Sequence, residues 1–553
     1  VSSLPLRLFP FGGVGEFGKN MMIYALGNRA IMVDCGIGFP EPGQHGIDVV
    51  IPDISALRDL GLTLQAVVLT HGHEDHIGAI PYLFSNLKCP IYGTEMTLAL
   101  VAAKLREAGE NGADLRPLRE GGSIPVGPFQ VEAIPVTHSI MDAVSLAIDT
   151  PYGMIIHTGD FKIDPSPIDG RLTNLNRFAS LGDQGVALLV SDSTNATREG
   201  SGLSERSVGV VLRQAVQSCP KGKVVVTTFS SNMFRIQQIL DAALFCGRKV
   251  ALAGRSLVRN SEIAINLNRL QVEPGQIIPV KNVASLPASE VLIIAAGSQG
   301  ETRAALGRIA KGQFSHVQLN QDDLVVFSSS AIPGNERSIS GLCNHICRRG
   351  ARVLHAGQAH LHVSGHAHAR ELKMMIQLTQ PDYFYPVHGE YRYLIEHKKL
   401  AISSGVSEQN IVIAENGQSV EMGEDGVRLG ERFSAGAVFV DGGSADGVDE
   451  LILRDRRMLA QEGIVTVIVT LNRQEGKLIG RPELAARGFM QAGQDGDMMD
   501  QAAAELQAHL EQRSQEFLAD EDAAKEDVRI ELRRIFKRLY GRRPMVVPVV
   551  LEV

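Results

Sequence analysis

Three histidines and two carboxylates crowd into residues 71–76, in the run Leu69-Thr70-His71-Gly72-His73-Glu74-Asp75-His76-Ile77-Gly78. Neutral imidazole nitrogens and ionised carboxylate oxygens are the donors that Zn²⁺ and similar ions take. Without a cation, such a cluster is costly to bury. Upstream, Ala66, Val67, Val68 and Leu69 read as a buried strand, and from Ile77 the apolar spacing turns helical. The donors therefore fall on a strand-to-helix turn, where side chains can converge. One loop cannot enclose two ions, so further donors are expected at other strand ends. His138 in Val-Thr-His-Ser, Asp160 in Ile-Ile-His-Thr-Gly-Asp-Phe and His388 in Pro-Val-His-Gly-Glu each follow an apolar, strand-like segment.

The elements that must position these residues fall into distinct regions. Residues 1 to about 195 read as strand-rich, with strands over 4–10, 21–25, 30–34, 67–70, 154–157 and 187–191 and helices after His76 and over 96–108. From about 200 to 350, short apolar strands (224–229, 249–253, 291–296, 324–328) alternate with helical segments (233–245, 261–270, 302–310, 339–348). That alternation predicts a parallel sheet covered by helices, in a separate α/β domain. Strand character returns at 352–355 and continues to about 425, 430–447 reads as a linker, and 450–553 as a small α+β domain. The expected boundaries are 1–199, 200–350, 351–428, a linker over 429–449, and 450–553.

Gly13, Gly15 and Gly18 form G-x-G-x-x-G after a strand, with Asp34 downstream, which matches a dinucleotide fingerprint. That motif needs a helix directly after its glycines. Residues 20–34 read instead as a hairpin turning at Gly27-Asn28, so the glycines are expected to allow a tight loop beside the metal centre.

A chain of 553 residues implies two to four domains, and 44% hydrophobic with 21% charged residues is ordinary globular composition. No run approaches the ~20 apolar residues that span a bilayer, the start lacks a secretory pattern, and six scattered cysteines suit a reducing compartment. A cytoplasmic location without a membrane partner is expected. Net charge of −8 excludes coating nucleic acid by bulk attraction but leaves room for a polyanion in a locally basic channel. Arg235, Arg255, Arg259, Arg303 and Arg370 are expected in or near loops lining such a cleft, some of them contacting phosphates. Arg533, Arg534, Lys537 and Arg538 form a basic face opposite Val528, Leu532, Ile535 and Leu539, the pattern of a packed helix with a solvated side.

His71-x-His73-x-Asp75-His76, with Asp34, His138 and Asp160 in order, resembles the metallo-β-lactamase superfamily. The α/β insertion, Asp192 in Val-Ser-Asp-Ser-Thr-Asn, His366 in Val-Ser-Gly-His-Ala-His, and His388 resemble the nucleic-acid-processing β-CASP branch. The whole layout is similar to the bacterial ribonuclease J family. The resemblance implies an α/β fold: an αββα sandwich with an inserted parallel β-CASP domain and a small α+β C-terminal domain. It implies that His71, His73, His138 and a bridging Asp160 hold one divalent ion, and Asp75, His76, Asp160 and His388 a second, with Asp34 orienting a ligand. Zn²⁺ suits these donors best, with Mn²⁺ or Mg²⁺ as alternatives.

The implied activity is hydrolysis of RNA phosphodiesters, 5′-to-3′ from 5′-monophosphate ends and also endonucleolytic, in RNA maturation and decay. Asp75 and Asp160 would hold the attacking water, and His366, hydrogen-bonded to Asp192, would protonate the leaving oxygen. Ser328, Ser329, Ser330, His362, Ser364, Gly365, His366 and His368 are expected to take a terminal phosphate. Implied partners are single-stranded RNA, further copies of the chain in a homodimer or homotetramer through the C-terminal domain, and an RNA-degradation complex. The rival readings are a DNA nuclease of the same branch, a small-substrate hydrolase of the superfamily, and a non-catalytic scaffold subunit.

Overall fold

The computed structural model describes residues 4–332, 334–442, 447–472, 477–488, 496–513 and 520–553. They form two compact units, Val1–Gly38 with Val50–Ala437, and Phe39–Val49 with Val438–Val553.

Two stacked sheets carry the first unit. One has the strand order Gly426–Arg432, Gln418–Gly423, Leu6–Gly12, Met21–Leu26, Arg29–Val33, Thr63–Val68, Ile91–Gly93, Leu115–Pro117. The other runs Tyr383–Val387, Val186–Asp192, Gly153–His157, Val144–Thr150, Phe129–Pro135, Ser123–Val126. Alternate residues point inward, so Leu8, Tyr24, Ile31 and Val68 meet Val131, Leu146, Ile155 and Leu188 in one buried cluster. Each such aliphatic side chain contributes roughly 1.5–3 kcal/mol. On the second sheet's other face, Phe178 and Leu181 of helix Leu175–Gln184 join Leu372, Met375 and Ile376 of helix Ala369–Thr379. Helix Glu95–Glu107 packs against Ile91–Gly93 and Leu115–Pro117. The result is the αββα sandwich that the resemblance implies. As the Gly27-Asn28 turn predicts, Met22 pairs with Val33, Tyr24 with Ile31 and Leu26 with Arg29, so no helix follows the glycine-rich loop.

The insertion is a six-stranded sheet in the order Ile277–Ile278, Lys249–Ala253, Val291–Ala295, Val224–Thr227, Leu324–Phe327, Arg352–Leu354. Every pairing is parallel. Central strands such as Val291–Ala295 are buried along their whole length, as parallel strands covered on both faces must be. Two expected boundaries shift. Arg352–Leu354 still pairs with residues 324–326, so the insertion reaches beyond 350. Gly426–Arg432 is a strand paired with Gln418–Gly423, so the linker expected from 429 starts too early. Gly430 reads as slack in the sequence, yet a Cβ there would lie 2.5 Å from Ser419 Oγ, and glycine is needed for close packing. Residues 443–446 of that linker lie outside the described residues. Helix Arg206–Gln217 is not anticipated from the sequence.

In the second unit, Ile464–Asn472 pairs antiparallel with Glu483–Arg487 and Lys477–Leu478 and parallel with Met545–Glu552. Its alternate residues Val465, Val467, Val469 and Leu471 pack with Leu506 and Leu510 of helix Gly496–Leu510 and with Val528, Leu532 and Ile535 of helix Glu521–Tyr540. Asp520 caps the latter by accepting from Asp522 and Ala523 N–H, and Gly541 ends it with φ 69°. On its basic face Arg534 and Arg538 are engaged by Glu531 and Glu505.

Candidate metal centre

Strand Thr63–Val68 delivers Thr70 and His71 to the mouth of the sandwich, and His73 begins the short helix Glu74–Ile77. The neighbouring strand Arg29–Val33 ends in Asp34, and strand Tyr383–Val387 ends in His388. Both residues have left-handed backbones, with φ 62° and 54°. Such conformations cost about 1–3 kcal/mol each and collect where geometry matters more than ease. Gly36 allows the closest approach, because a Cβ there would sit 1.6 Å from the Asp75 carbonyl oxygen.

The structure gathers six donors around Asp160. His71 Nε2 and His138 Nε2 each lie 3.1 Å from His73 Nδ1, and 3.6 and 3.5 Å from Asp160 Oδ2. His76 Nε2 is 3.3 Å from the same oxygen and 3.6 Å from Asp75 Oδ2, which is 3.6 Å from His388 Nε2. These form two four-donor groups that share Asp160. Donors at tetrahedral positions ~2.0–2.1 Å from zinc lie roughly 3.3 Å apart, so the spacing fits such an ion.

Surrounding hydrogen bonds fix the ring tautomers. Asp34 accepts from Thr70 N–H at 2.8 Å through Oδ1, and from Thr70 Oγ1 at 2.8 Å and His76 Nδ1 at 2.7 Å through Oδ2. Because Thr70 Oγ1 donates to Asp34, it accepts from His71 Nδ1 at 3.0 Å. His138 Nδ1 donates to the Gly365 carbonyl at 2.7 Å. All three rings then carry the proton on Nδ1 and aim an Nε2 lone pair into the site. One N–H on His73 Nδ1 could not satisfy both facing lone pairs. A cation would.

Charge balance agrees. Burial drives His71 and His138 well below the usual histidine range and His73 down to about 4, leaving neutral ligands. Burial also opposes protonation of His76 and His388, but the carboxylates of Asp160 and its neighbours outweigh it and raise both, so these carboxylates call for positive charge at this spot, which a proton on each ring or a cation between them can supply. Asp160 Oδ1 and His388 Nδ1 are buried 2.7 Å apart yet form no aligned hydrogen bond. Orphaned polar atoms of this kind are rare in native interiors, and a metal is the partner that suits them.

A third group overlaps the first two: Asp160, Asp192, His366 and His388. His366 Nδ1 lies 2.8 Å from Asp192 Oδ2, while Asp192 Oδ1 accepts from Thr194 N–H and Oγ1 at 2.9 and 2.7 Å. The turn at Ser193-Thr194 thus uses one oxygen and leaves the other for the histidine. Burial opposes charge on both partners; His366 nevertheless holds Asp192 low, and Asp192 with Asp160 raises His366.

The residues expected around a terminal phosphate divide. Ser364 Oγ accepts from Asn195 Nδ2 at 2.8 Å, and Gly365 packs so closely that a Cβ would meet His138 Cε1 at 2.8 Å. His368 caps helix Ala369–Thr379 in a reciprocal arrangement with Glu371. His362, pulled down to about 3 by burial and by Arg235 and Arg198, keeps a buried Nδ1 without a partner. Ser329 is buried and Ser330 exposed.

Ser328 departs from expectation. It is fully buried, donates to the Leu361 carbonyl at 2.7 Å and accepts from Arg235 at 2.7 Å, so it braces the floor. Arg235, one of the five arginines expected in or near loops lining a cleft, is itself wholly buried against Glu205 at 2.6 Å. Sequence reading missed Asn20, whose Nδ2 donates to the Asp75 carbonyl at 3.1 Å and lies 3.1 Å from His76 Nε2. It also missed Thr70 and the Gly365 carbonyl.

Family models match the chain in four stretches: Metallo-beta-lactamase superfamily over 14–189, Ribonuclease J, beta-CASP domain over 221–346, Zn-dependent metallo-hydrolase RNA specificity domain over 354–413, and Ribonuclease J C-terminal domain over 451–553. Ribonuclease J of Mycobacterium tuberculosis (strain ATCC 25618 / H37Rv) is 39% identical over 549 residues, 99% of this chain and 97% of that protein. Ribonuclease J2 of Bacillus subtilis (strain 168) is 36% identical over 549 residues, 99% of both. A crystal structure of a protein of unknown function from Enterococcus faecalis V583 shares the fold, with TM-score 0.54 and 16% identity over 75% of this chain and 100% of that one. The matching domains in this order, with full-length relatives well above 30% identity, show that the chain belongs to the ribonuclease J family.

Proposed function

We propose that this chain is a ribonuclease that uses two divalent cations, Zn²⁺ by donor preference, to hydrolyse RNA phosphodiesters. The observation that carries the reading is the pair of four-donor groups sharing Asp160, with His366 and Asp192 alongside. His71, His73, His138 and Asp160 hold one ion; Asp75, His76, Asp160 and His388 hold the other. Asp34 keeps His76 and, through Thr70, His71 in the ligating tautomer. When bound, the cations lower the pKa of an attacking water and neutralise charge on the phosphodiester.

The chain's own groups do the rest. Asp75 and Asp160 orient the water as acceptors. His366 Nδ1–H stays bonded to Asp192, so the proton available for the leaving 3′-oxygen sits on Nε2. The raised basicity of His366 keeps that proton in place near neutral pH. Loss of one such acid costs about 10²–10⁴-fold.

Directional 5′-to-3′ cutting needs a stop for the RNA end. Ser329, Ser330, His362, Ser364, Gly365 and His368 supply hydroxyls, imidazoles and backbone N–H groups for a 5′-monophosphate, beside endonucleolytic action on longer chains. Ser328 belongs to their support. The relatives' names favour RNA as substrate; the reading adds that it is single-stranded and is cut in RNA maturation and decay. Self-association through residues 450–553 and a place in an RNA-degradation complex complete the reading. Among the described residues, no helix is long and apolar enough to cross a membrane.

The test compares 5′-monophosphorylated RNA, 5′-triphosphorylated RNA and DNA, using wild type and His76→Ala. Mononucleotides released stepwise from the monophosphate alone, and only by wild type, are expected. Equal cutting of all three would remove both the end pocket and the preference for RNA, and cutting of DNA alone would leave the DNA-nuclease reading.

A further inference from the structure

The glycine-rich loop that mimics a dinucleotide fingerprint has a different use. Its two ends are tied to two residues of the same four-donor group, His388 and Asp75. Gly13 O accepts from His388 N–H at 2.8 Å, and Val14–Gly15 pairs in parallel with Gly389–Glu390. At the other end, Asn20 N–H donates to the Asp75 carbonyl at 3.0 Å. Gly18, at φ 82°, passes so near residues 37–38 that a Cβ would meet Ile37 O at 3.0 Å. Between these anchors, Glu16 bonds Lys19 at 3.1 Å and accepts from Asn416 Nδ2 at 2.6 Å. The loop is therefore held, and its tip does not wander.

What this loop presents is Phe17. The ring is 42% exposed and lies outside the packed cluster that takes Val14. It stands edge-on to the His388 ring with centroids 6.2 Å apart, and tilts against Tyr393 at 5.6 Å. Tyr393 in turn carries the Arg392 guanidinium 4.6 Å from its ring centroid. An aromatic ring left partly exposed beside a centre built for a polyanion gives up part of the burial that would stabilise the fold. Its position is intelligible if a flat, apolar group arrives together with the phosphate.

We propose that Phe17, backed by Tyr393, is a stacking platform for a nucleobase flanking the scissile phosphodiester, so the glycine-rich loop sets substrate position rather than binding a dinucleotide. The inference rests on the ribonuclease reading above and adds a specificity-determining residue to it. Stacking on an aromatic side chain is sequence-tolerant, since every base has a π-face, and is lost when the base is absent.

The experiment measures kcat/KM of wild type, Phe17→Ala, Phe17→Leu and Phe17→Tyr on a 5′-monophosphorylated RNA. The same RNA is also made with an abasic ribose at one or the other nucleotide flanking the first linkage. Bound metal is determined for each protein. Phe17→Ala is expected to lose roughly 10-fold on the full RNA, with metal content unchanged. Phe17→Tyr is expected to match wild type and Phe17→Leu to fall with Ala. On one of the abasic substrates all four proteins are expected to converge.

The inference is overturned if Phe17→Ala equals wild type on full RNA, if Leu serves as well as Phe, or if the deficit persists on both abasic substrates. Loss of metal from Phe17→Ala would also overturn it, marking the ring as a seal over His388. If wild type cuts no RNA while holding its metals, the ribonuclease reading itself falls, a result separate from any of these.

Discussion

Replacing Asp34 tests the hydrogen-bond logic of the site atom by atom. In Asp34→Asn, the fixed Thr70 N–H still needs an acceptor, so the amide oxygen occupies the Oδ1 position. The amide nitrogen then faces Thr70 Oγ1 and His76 Nδ1, two groups that now donate to Oδ2. Both must become acceptors. His76 moves its proton to Nε2, and Thr70 turns its hydrogen toward His71 Nδ1, which does the same. Two Nε2 lone pairs are withdrawn from the site at once. Restoring each for metal binding breaks one hydrogen bond, about 0.5–1.5 kcal/mol, so the pair costs roughly 1–3 kcal/mol. Asp34→Ala releases both tautomers without forcing the wrong one, and loosens the rings. Competition for Zn²⁺ with a chromogenic chelator, on protein verified as folded by circular dichroism, is expected to show about 100-fold weaker binding for Asn and about 10-fold for Ala. If the Asn variant binds as tightly as wild type, or more tightly than Ala, the tautomer assignment is wrong.

Three other perturbations follow from the same contacts. Arg235→Met strands the Glu205 carboxylate in the insertion and should cost about 3–5 kcal/mol in urea unfolding, with Arg235→Met/Glu205→Gln recovering much of it; an unchanged midpoint would contradict the buried pair. His366→Ala should lower kcat by on the order of 10²–10⁴-fold at unchanged metal content, and parallel loss of metal would mark it as a ligand instead. Buried His397, held to about 3 by desolvation beside Ser193, stays neutral in the folded chain while the unfolded chain protonates near 6.5. Its contribution is complete above pH ~6.5 and falls by about 1.4 kcal/mol per pH unit toward pH 3; His397→Leu should flatten that part of the stability profile.

The donors were legible because each sits just past an apolar strand, and strand ends at one edge of a sandwich necessarily meet. Their supports were not. The Gly365 carbonyl that orients His138 has no side-chain signature, and Asn20 lies in a loop whose glycines suggested another ligand. The alternation of strand and helix announced the parallel insertion, whereas its last strand, read at 352–355, was given to the next region, because three partly buried or exposed residues do not mark which sheet they join. Arg235 illustrates the opposite error. A lone arginine in the first turn of a helix invites a phosphate, but Met233, Phe234, Ile236 and Ile239 around it are all buried. Apolar residues directly flanking a helical arginine, at 233, 234 and 236, were the available sign that its partner would be internal. Ser328 misled for a related reason, since a strand end can point into the next layer as easily as into solvent.

The central claim is that donors from four separate segments hold a cation pair that the chemistry requires. Elemental analysis of the purified chain, paired with RNA hydrolysis before and after chelation, addresses it directly. Two divalent ions per chain are expected, with Asp160→Ala losing both, and with activity lost on chelation and restored by metal. A chain freed of metal that still cleaves RNA at an undiminished rate would contradict the account.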